Sequence, residues 1–158
     1  MNKLVLDACC GTRMFWFDKN DPRAVFIDKR AESFLADNRK GRKMLHVAPD
    51  LVADFTALPF PDRCFSLVVF DPPHLTRNGK TSRMHKKYGS LVGDWREELR
   101  QGFSECFRVL KRNGILVFKW NEVDIPVSQI LALTPERPLF GNRCGKQSRS
   151  HWIVFLKP

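Results

Sequence analysis

Residues 66–75 read SLVVFDPPHL, from Ser66 to Leu75. The run Leu67, Val68, Val69, Phe70 is apolar at every position, not at every second one. That pattern suggests a strand covered on both faces, as in a parallel sheet. Asp71 ends the run, and neither Pro72 nor Pro73 can donate to a sheet ladder, so the strand stops there. Working outward, runs of the same kind recur at KLVLDA (3–8), AVFID (24–28), DLVADF (50–55), GILVFKW (114–120) and HWIVFLK (151–157). Between the fourth and fifth runs lies DWREELRQGFSECFRVLKRNG (94–114). Its Trp95, Leu99, Phe103, Phe107 and Leu110 recur at three or four and build the apolar stripe of a helix. Asp94 and Glu97 have capping-box spacing, and Asn113-Gly114 is the expected stop. Shorter helices are expected after TRMFWF (12–17), over RAESFLAD (30–37) and over VSQILAL (127–133). Strands alternating with helices give an α/β doubly wound sheet in a single domain over residues 1–158. The end of the chain, PLFGNRCGKQSRSHWIVFLK (138–157), reads instead as two strands around a polar loop, a hairpin rather than a crossover.

In an open parallel sheet, ligands collect beyond the carboxyl ends of the strands. Four of the runs carry an acid there: Asp7, Asp28, Asp54 and Asp71. A single such Asp is as readily a turn cap; four on successive strands suggest a site. After the first run, LDACCGTR (6–13) places Gly11 and the small Cys9 where backbone can approach a ligand. The pattern is neither the three-glycine dinucleotide fingerprint nor a P-loop, so phosphate is not required at this turn. Asp28 follows Asp7 by 21 residues, a place from which a carboxylate can accept hydrogen bonds from ribose hydroxyls. Phe55, after Asp54, is available to lie against a ring.

With 158 residues, 43% apolar and 11% aromatic, the chain is globular, and no run approaches the ~20 residues of a membrane span. The N-terminal sequence lacks a signal-peptide pattern. Five cysteines without zinc-type spacing fit reduced thiols and a cytoplasmic location, with no metal site. Lys and Arg outnumber Asp and Glu 27 to 17, a surplus of +10 that favours a polyanionic partner, nucleic acid above all; a solvated basic surface is the plainer alternative. The charge is uneven. Leu75 to Ser90 holds Arg77, Lys80, Arg83, Lys86 and Lys87 and no acid; Arg39, Lys40, Arg42 and Lys43 form a second group, and Arg143, Lys146 and Arg149 a third.

The order LDACCG, FID, ADFTALPFPDRCFSLVVFDPPH, RVLKRNGILVFKW resembles a class I S-adenosylmethionine-dependent methyltransferase, a Rossmann-like fold, over nearly the whole chain. The resemblance is closest to small stand-alone N-methyltransferases of phages and prophages. It implies a mostly parallel seven-stranded sheet with an antiparallel last strand, S-adenosyl-L-methionine as cofactor and S-adenosyl-L-homocysteine as product. On the cofactor side it implies Cys9 and Gly11 flanking the methionine moiety, Asp28 on the ribose, and Asp54 with Phe55 at the adenine, with Asp7 also among the cofactor-binding residues. Two family glycines are replaced, by Cys9 and Arg13, which bears on the shape of the methionine pocket.

Asp71-Pro72-Pro73-His74 resembles the Asp/Asn-Pro-Pro-aromatic motif of methyltransferases that act on exocyclic amines of bases. Such an amine shares its lone pair with the ring and is a poor nucleophile. Two acceptors aimed at its hydrogens, the Asp71 carboxylate and the Pro72 carbonyl, favour a pyramidal nitrogen. The prolines hold that carbonyl in advance, and His74 is planar enough to stack on a base. The basic segment that follows would overhang the pocket, with Arg77, Lys80, Arg83, Lys86 and Lys87 gripping phosphates and Tyr88 stacking on a base; a solvated loop without a role is the alternative. Lys119, Trp120 and Asn121 end the fifth run and line a far wall, Trp120 being equally suited to the core. The expectation is methyl transfer to a nucleic-acid amine, adenine N6 foremost. Nothing in the sequence is long enough to be a separate target-recognition region, for which action on RNA or single strands, specificity recruited through a partner or dimer, or a loose sequence preference would each account. A small-molecule or protein substrate, or a non-catalytic nucleic-acid-binding module on the same fold, are the alternatives.

Overall fold

The apolar runs become strands in the order the sequence sets. The computed structural model describes residues 3–38, 41–76, 89–91, 93–145 and 147–158. Along the chain lie β1 (Val5–Asp7), β2 (Ala24–Asp28), β3 (Glu32–Asn38), β4 (Gly41–Val47), β5 (Leu51–Val52), β6 (Phe65–Phe70), α1 (Trp95–Val109), β7 (Leu110–Asn121), α2 (Val127–Leu131), β8 (Phe140–Arg143) and β9 (Ser150–Leu156). Seven strands form one sheet in the order β5-β2-β1-β6-β7-β9-β8. The first five are parallel, and β9 runs antiparallel to both β7 and β8. The mostly parallel seven-stranded sheet with an antiparallel last strand is therefore as expected.

The stripe on α1 docks on β6 and β7. Leu99, Phe103 and Cys106 are buried against Phe70, Phe118 and Phe155 from the sheet. Asp94 caps the helix, its carboxylate accepting from the amides of Arg96 and Glu97 at 3.1 and 3.4 Å. Glu97 does not close a capping box; its carboxylate faces Arg100 and Gln101 on the helix surface. Nor does Asn113-Gly114 stop the helix. The chain turns extended at Leu110 (φ −69°, ψ 137°), which is wholly buried and pairs with Phe65. The Lys157 ammonium donates to the Phe107 and Leu110 carbonyls at 2.5 and 2.7 Å, taking over the helix end. Asn113, with φ 59°, lies instead in the irregular stretch that carries the pairing from Phe65–Leu110 to Leu67–Ile115.

Two expected helices are not helices. Residues 11–22 form turns, with Trp16 packed edge-on against Phe26 at 4.8 Å. RAESFLAD contributes β3, which pairs with β4 as a separate two-stranded sheet. Its Ala, Glu and Leu favour a helix locally, but the cross-strand pairs Phe34–Leu45 and Leu35–Met44 override that preference. The third, VSQILAL, shortens to the five residues of α2, anchored by buried Ile130. The sheet is thus helix-covered on one face. On the other, a small cluster of Cys10, Ala24 and Phe26, with Val5 and Trp16, lies under the turns.

Candidate active site

The carboxyl ends of β1, β2 and β6, with Phe55 beyond β5, line a cleft of about 680 Å³ including its open mouth. Cys9, Gly11, Asp28, Phe55, Asp71 and Pro73 are all on its wall. The parallel register brings them there: Asp7 pairs with Phe26 and with Val69, which sets the ends of three strands side by side.

Asp28 is the organising group on one side. Its Oδ2 accepts the Gly11 N–H at 2.9 Å, and its Oδ1 accepts the Arg30 N–H at 2.9 Å and the Arg30 Nε–H at 3.3 Å. These use three of the roughly four acceptor positions of a carboxylate. A Cβ built on Gly11 meets nothing within 4 Å, so the backbone there faces open space. Phe55 is buried, edge-on to Phe70 at 5.2 Å, and shows the cleft only part of its ring.

On the other side Asp71 follows Phe70, which pairs with Phe118. The next residues, Asp71 and Lys119, therefore stand abreast, and Lys119 Nζ donates to Asp71 Oδ2 at 2.7 Å. The ammonium also faces the rings of Phe15 and Trp152, with centroids 5.8 and 5.7 Å away. Burial pushes the Asp71 carboxyl above the ordinary carboxylate range, and Lys119 opposes that rise. Gly89 returns the chain to Pro73 (a Cβ there would lie 3.2 Å from the ring), and Leu91 N–H bonds the Leu75 carbonyl at 3.0 Å. Thr76, just beyond the motif, donates to Asp124 at 2.9 and 3.2 Å.

Among the described residues, the remaining expected site residues lie off the wall. Asp7 is fully buried beneath it, accepting from Trp16 Nε1 at 2.7 Å and from the Cys9 N–H at 3.3 Å; burial raises its carboxyl to about 7. Asp54 Oδ1 accepts the Thr56 amide and hydroxyl at 2.9 and 2.8 Å, a turn-capping role. Pro72 is buried. His74 sits edge-on to Trp120 at 6.3 Å, and burial lowers its imidazole to about 4, so the ring is neutral near pH 7. Trp120 belongs to the core, fully buried and donating to the Ile125 carbonyl at 2.9 Å. Arg13 turns away from the cleft: it stacks over Phe26 at 3.9 Å and reaches the Ala48 carbonyl and Asp50 at 2.7 and 3.0 Å. Arg77, Lys80, Arg83, Lys86, Lys87 and Tyr88 lie outside the described residues, as do Arg39, Lys40 and Lys146. The sequence reading passed over Arg30 and Phe15, both on the wall; Arg30 is signalled only by its place two residues after Asp28. Burial raises the Cys9 and Cys10 thiols, Cys10 to about 12, so neither is a ready nucleophile. All five cysteines are free. Among the described residues no helix is long and apolar enough to cross a membrane.

The arrangement has counterparts of known structure. PH0226 protein from Pyrococcus horikoshii OT3 matches 100% of this chain and 83% of its own, with TM-score 0.62 and 18% identity. A TehB-like SAM-dependent methyltransferase from Corynebacterium glutamicum matches 99% of this chain and 81% of its own, with TM-score 0.59 and 12% identity. The fold is that of the class I S-adenosylmethionine-dependent methyltransferases. In sequence, 68 residues are 32% identical to malonyl-[acyl-carrier protein] O-methyltransferase 1 of Coxiella burnetii. That match spans 43% of this chain and 17% of the relative's length. No protein-family model matches the chain.

Proposed function

We propose that this protein is an S-adenosylmethionine-dependent methyltransferase acting on an exocyclic amino nitrogen of a nucleic-acid base, adenine N6 foremost. The observation that carries the reading is Asp71 on the wall of the same cleft as Asp28 and Gly11, with Pro73 beside it. The cofactor, when bound, supplies an electrophilic methyl group on a sulfonium. The residues present suit it: Asp28 still has acceptor capacity for ribose hydroxyls, Gly11 faces open space, and Phe55 offers a ring edge at the adenine end. Asp54, occupied by Thr56, contributes to that end through the turn that presents Phe55.

Asp71 then acts on the acceptor. Its carboxylate draws one amine hydrogen and the Pro72 carbonyl draws the other, which frees the nitrogen lone pair from the ring. Nitrogen gains the methyl group and loses one proton, and a buried carboxyl with a raised proton affinity is suited to take it. Alignment supplies most of the acceleration. The five cations between Thr76 and Gly89 supply phosphate affinity.

The test is incubation with labelled methyl donor and single-stranded DNA, duplex DNA, RNA and nucleosides, followed by nucleoside mass analysis. Label on an exocyclic amine is expected, with transfer falling as salt rises. Asp71→Ala should lower the rate by about 10²-fold or more while S-adenosylhomocysteine still binds. Full activity in Asp71→Ala, or label only on a metabolite or protein, would overturn the reading.

A further inference from the structure

The pairing of Asp71 with Lys119 carries information about the acceptor. Resting on the methyltransferase reading above, we propose that Lys119 is a specificity-determining residue that hydrogen-bonds the ring nitrogen next to the target amine. The site would then accept an amine beside an unprotonated ring nitrogen, as in adenine or cytosine, and reject guanine.

Three observations support this. First, Lys119 Nζ and Asp71 Oδ2 are 2.7 Å apart and both side chains are partly exposed, so a donor stands directly beside the acceptor that Asp71 gives the cleft wall. An amino group next to a bare ring nitrogen offers the complementary donor and acceptor one bond angle apart. Adenine has this edge at N6 and N1, and cytosine at N4 and N3. Guanine N2 instead stands next to N1–H and to N3, and only the N3 side would suit a lysine. That side adjoins the fusion carbon C4 and, through it, N9 with its sugar, which leaves less room for a wall. Second, an ammonium has three N–H groups and the bond to Asp71 uses one. Third, the rings of Phe15 and Trp152, each under 6 Å from Nζ, hold the cation by their faces rather than by acceptors. Phe15 and Asp71 are themselves on the cleft wall, so the ammonium stands next to two residues that line it. A structural ion pair alone would fix Asp71, but it would make no distinction between bases with and without the ring acceptor.

The experiment measures nucleoside binding to protein saturated with S-adenosylhomocysteine, which keeps adenosine out of the cofactor's adenine position. Adenosine is compared with 1-deazaadenosine, cytidine with 3-deazacytidine, and both with guanosine, in wild type and in Lys119→Met. In wild type the deaza analogue of the preferred base should bind about tenfold more weakly or worse, in line with one hydrogen bond to a charged donor. In Lys119→Met that ratio should collapse toward one. Thermal unfolding of the variant checks that it folds, and the wild-type comparison decides without it. Equal binding of parent and deaza nucleosides, preference for guanosine, or no nucleoside binding overturns the inference. Label on guanine N2 in the methyl-transfer assay would also overturn it while leaving the function intact; absence of label from every nucleic acid removes the function itself.

Discussion

Gly102 lies on the buried side of α1, where Phe55 and Phe70 press against the helix. A Cβ placed there would stand 2.7 Å from Phe55 Cδ2, 2.7 Å from Phe70 Cζ and 2.9 Å from Phe55 Cε2. Both rings belong to the main core, edge-on to one another at 5.2 Å, so neither can clear the helix without disturbing its packed neighbours. Gly102→Ala sets two effects against each other. Alanine favours the helix by about 1 kcal/mol over glycine. Forcing two packed rings back to ordinary contact costs about 1–3 kcal/mol. The expected net result is destabilisation of up to about 2 kcal/mol, readable as a lower urea midpoint with unchanged slope. The functional consequence is more telling. Phe55 touches α1 on one side and lines the cleft on the other, so its retreat from the helix narrows the part of the cleft proposed to hold the cofactor. S-adenosylhomocysteine should bind several-fold more weakly by calorimetry. A variant about 1 kcal/mol more stable than wild type with unchanged affinity would refute the packing argument and the place given to Phe55.

Asp28→Ala should do more than remove a cofactor contact: it leaves the Gly11 amide without its acceptor, so the protein should lose about 1–3 kcal/mol and S-adenosylhomocysteine binding together, with Asp28→Asn milder in both assays. Asp7 gives a pH dependence of definite sign. Its carboxyl titrates near 7 in the fold against 3.8 ordinarily, so the folded protein keeps a proton that the unfolded chain releases. Stability should therefore fall between pH 5 and pH 7.5, by on the order of 2 kcal/mol, and level off above. Asp7→Asn should flatten that part of the urea-midpoint profile; the same slope in the variant would assign it to other groups.

The parallel strands were legible because both sheet faces are packed near their centre: Leu6 and Ile27 face the main core while their neighbours Val5 and Phe26 face the small cluster on the other side, so the runs are apolar without alternation. β3 and β4 were not, because their pairing is decided by a partner strand and not by the composition of RAESFLAD. The ends of the site followed the same division. Asp28 and Asp71 end strands and line the cleft, a placement legible in sequence because topology fixes where strand ends point. Asp54 has the same sequence context, yet a threonine two residues on claims its carboxylate, a local choice that periodicity does not register. Arg13 was weighed as a change in the methionine pocket, but Ala48 and Asp50, which draw it elsewhere, are 35 and 37 residues away. Lys119 was placed at a strand end; its bond to Asp71 depends on cross-strand register.

The bond between Leu91 and Leu75 has an evolutionary consequence. It fastens the chain after β6 to the chain ahead of α1, so the sequence between these two points can lengthen, shorten or change composition while the sheet and α1 stay as they are. Exchange of one insert between fixed anchors is then compatible with a scaffold inherited intact.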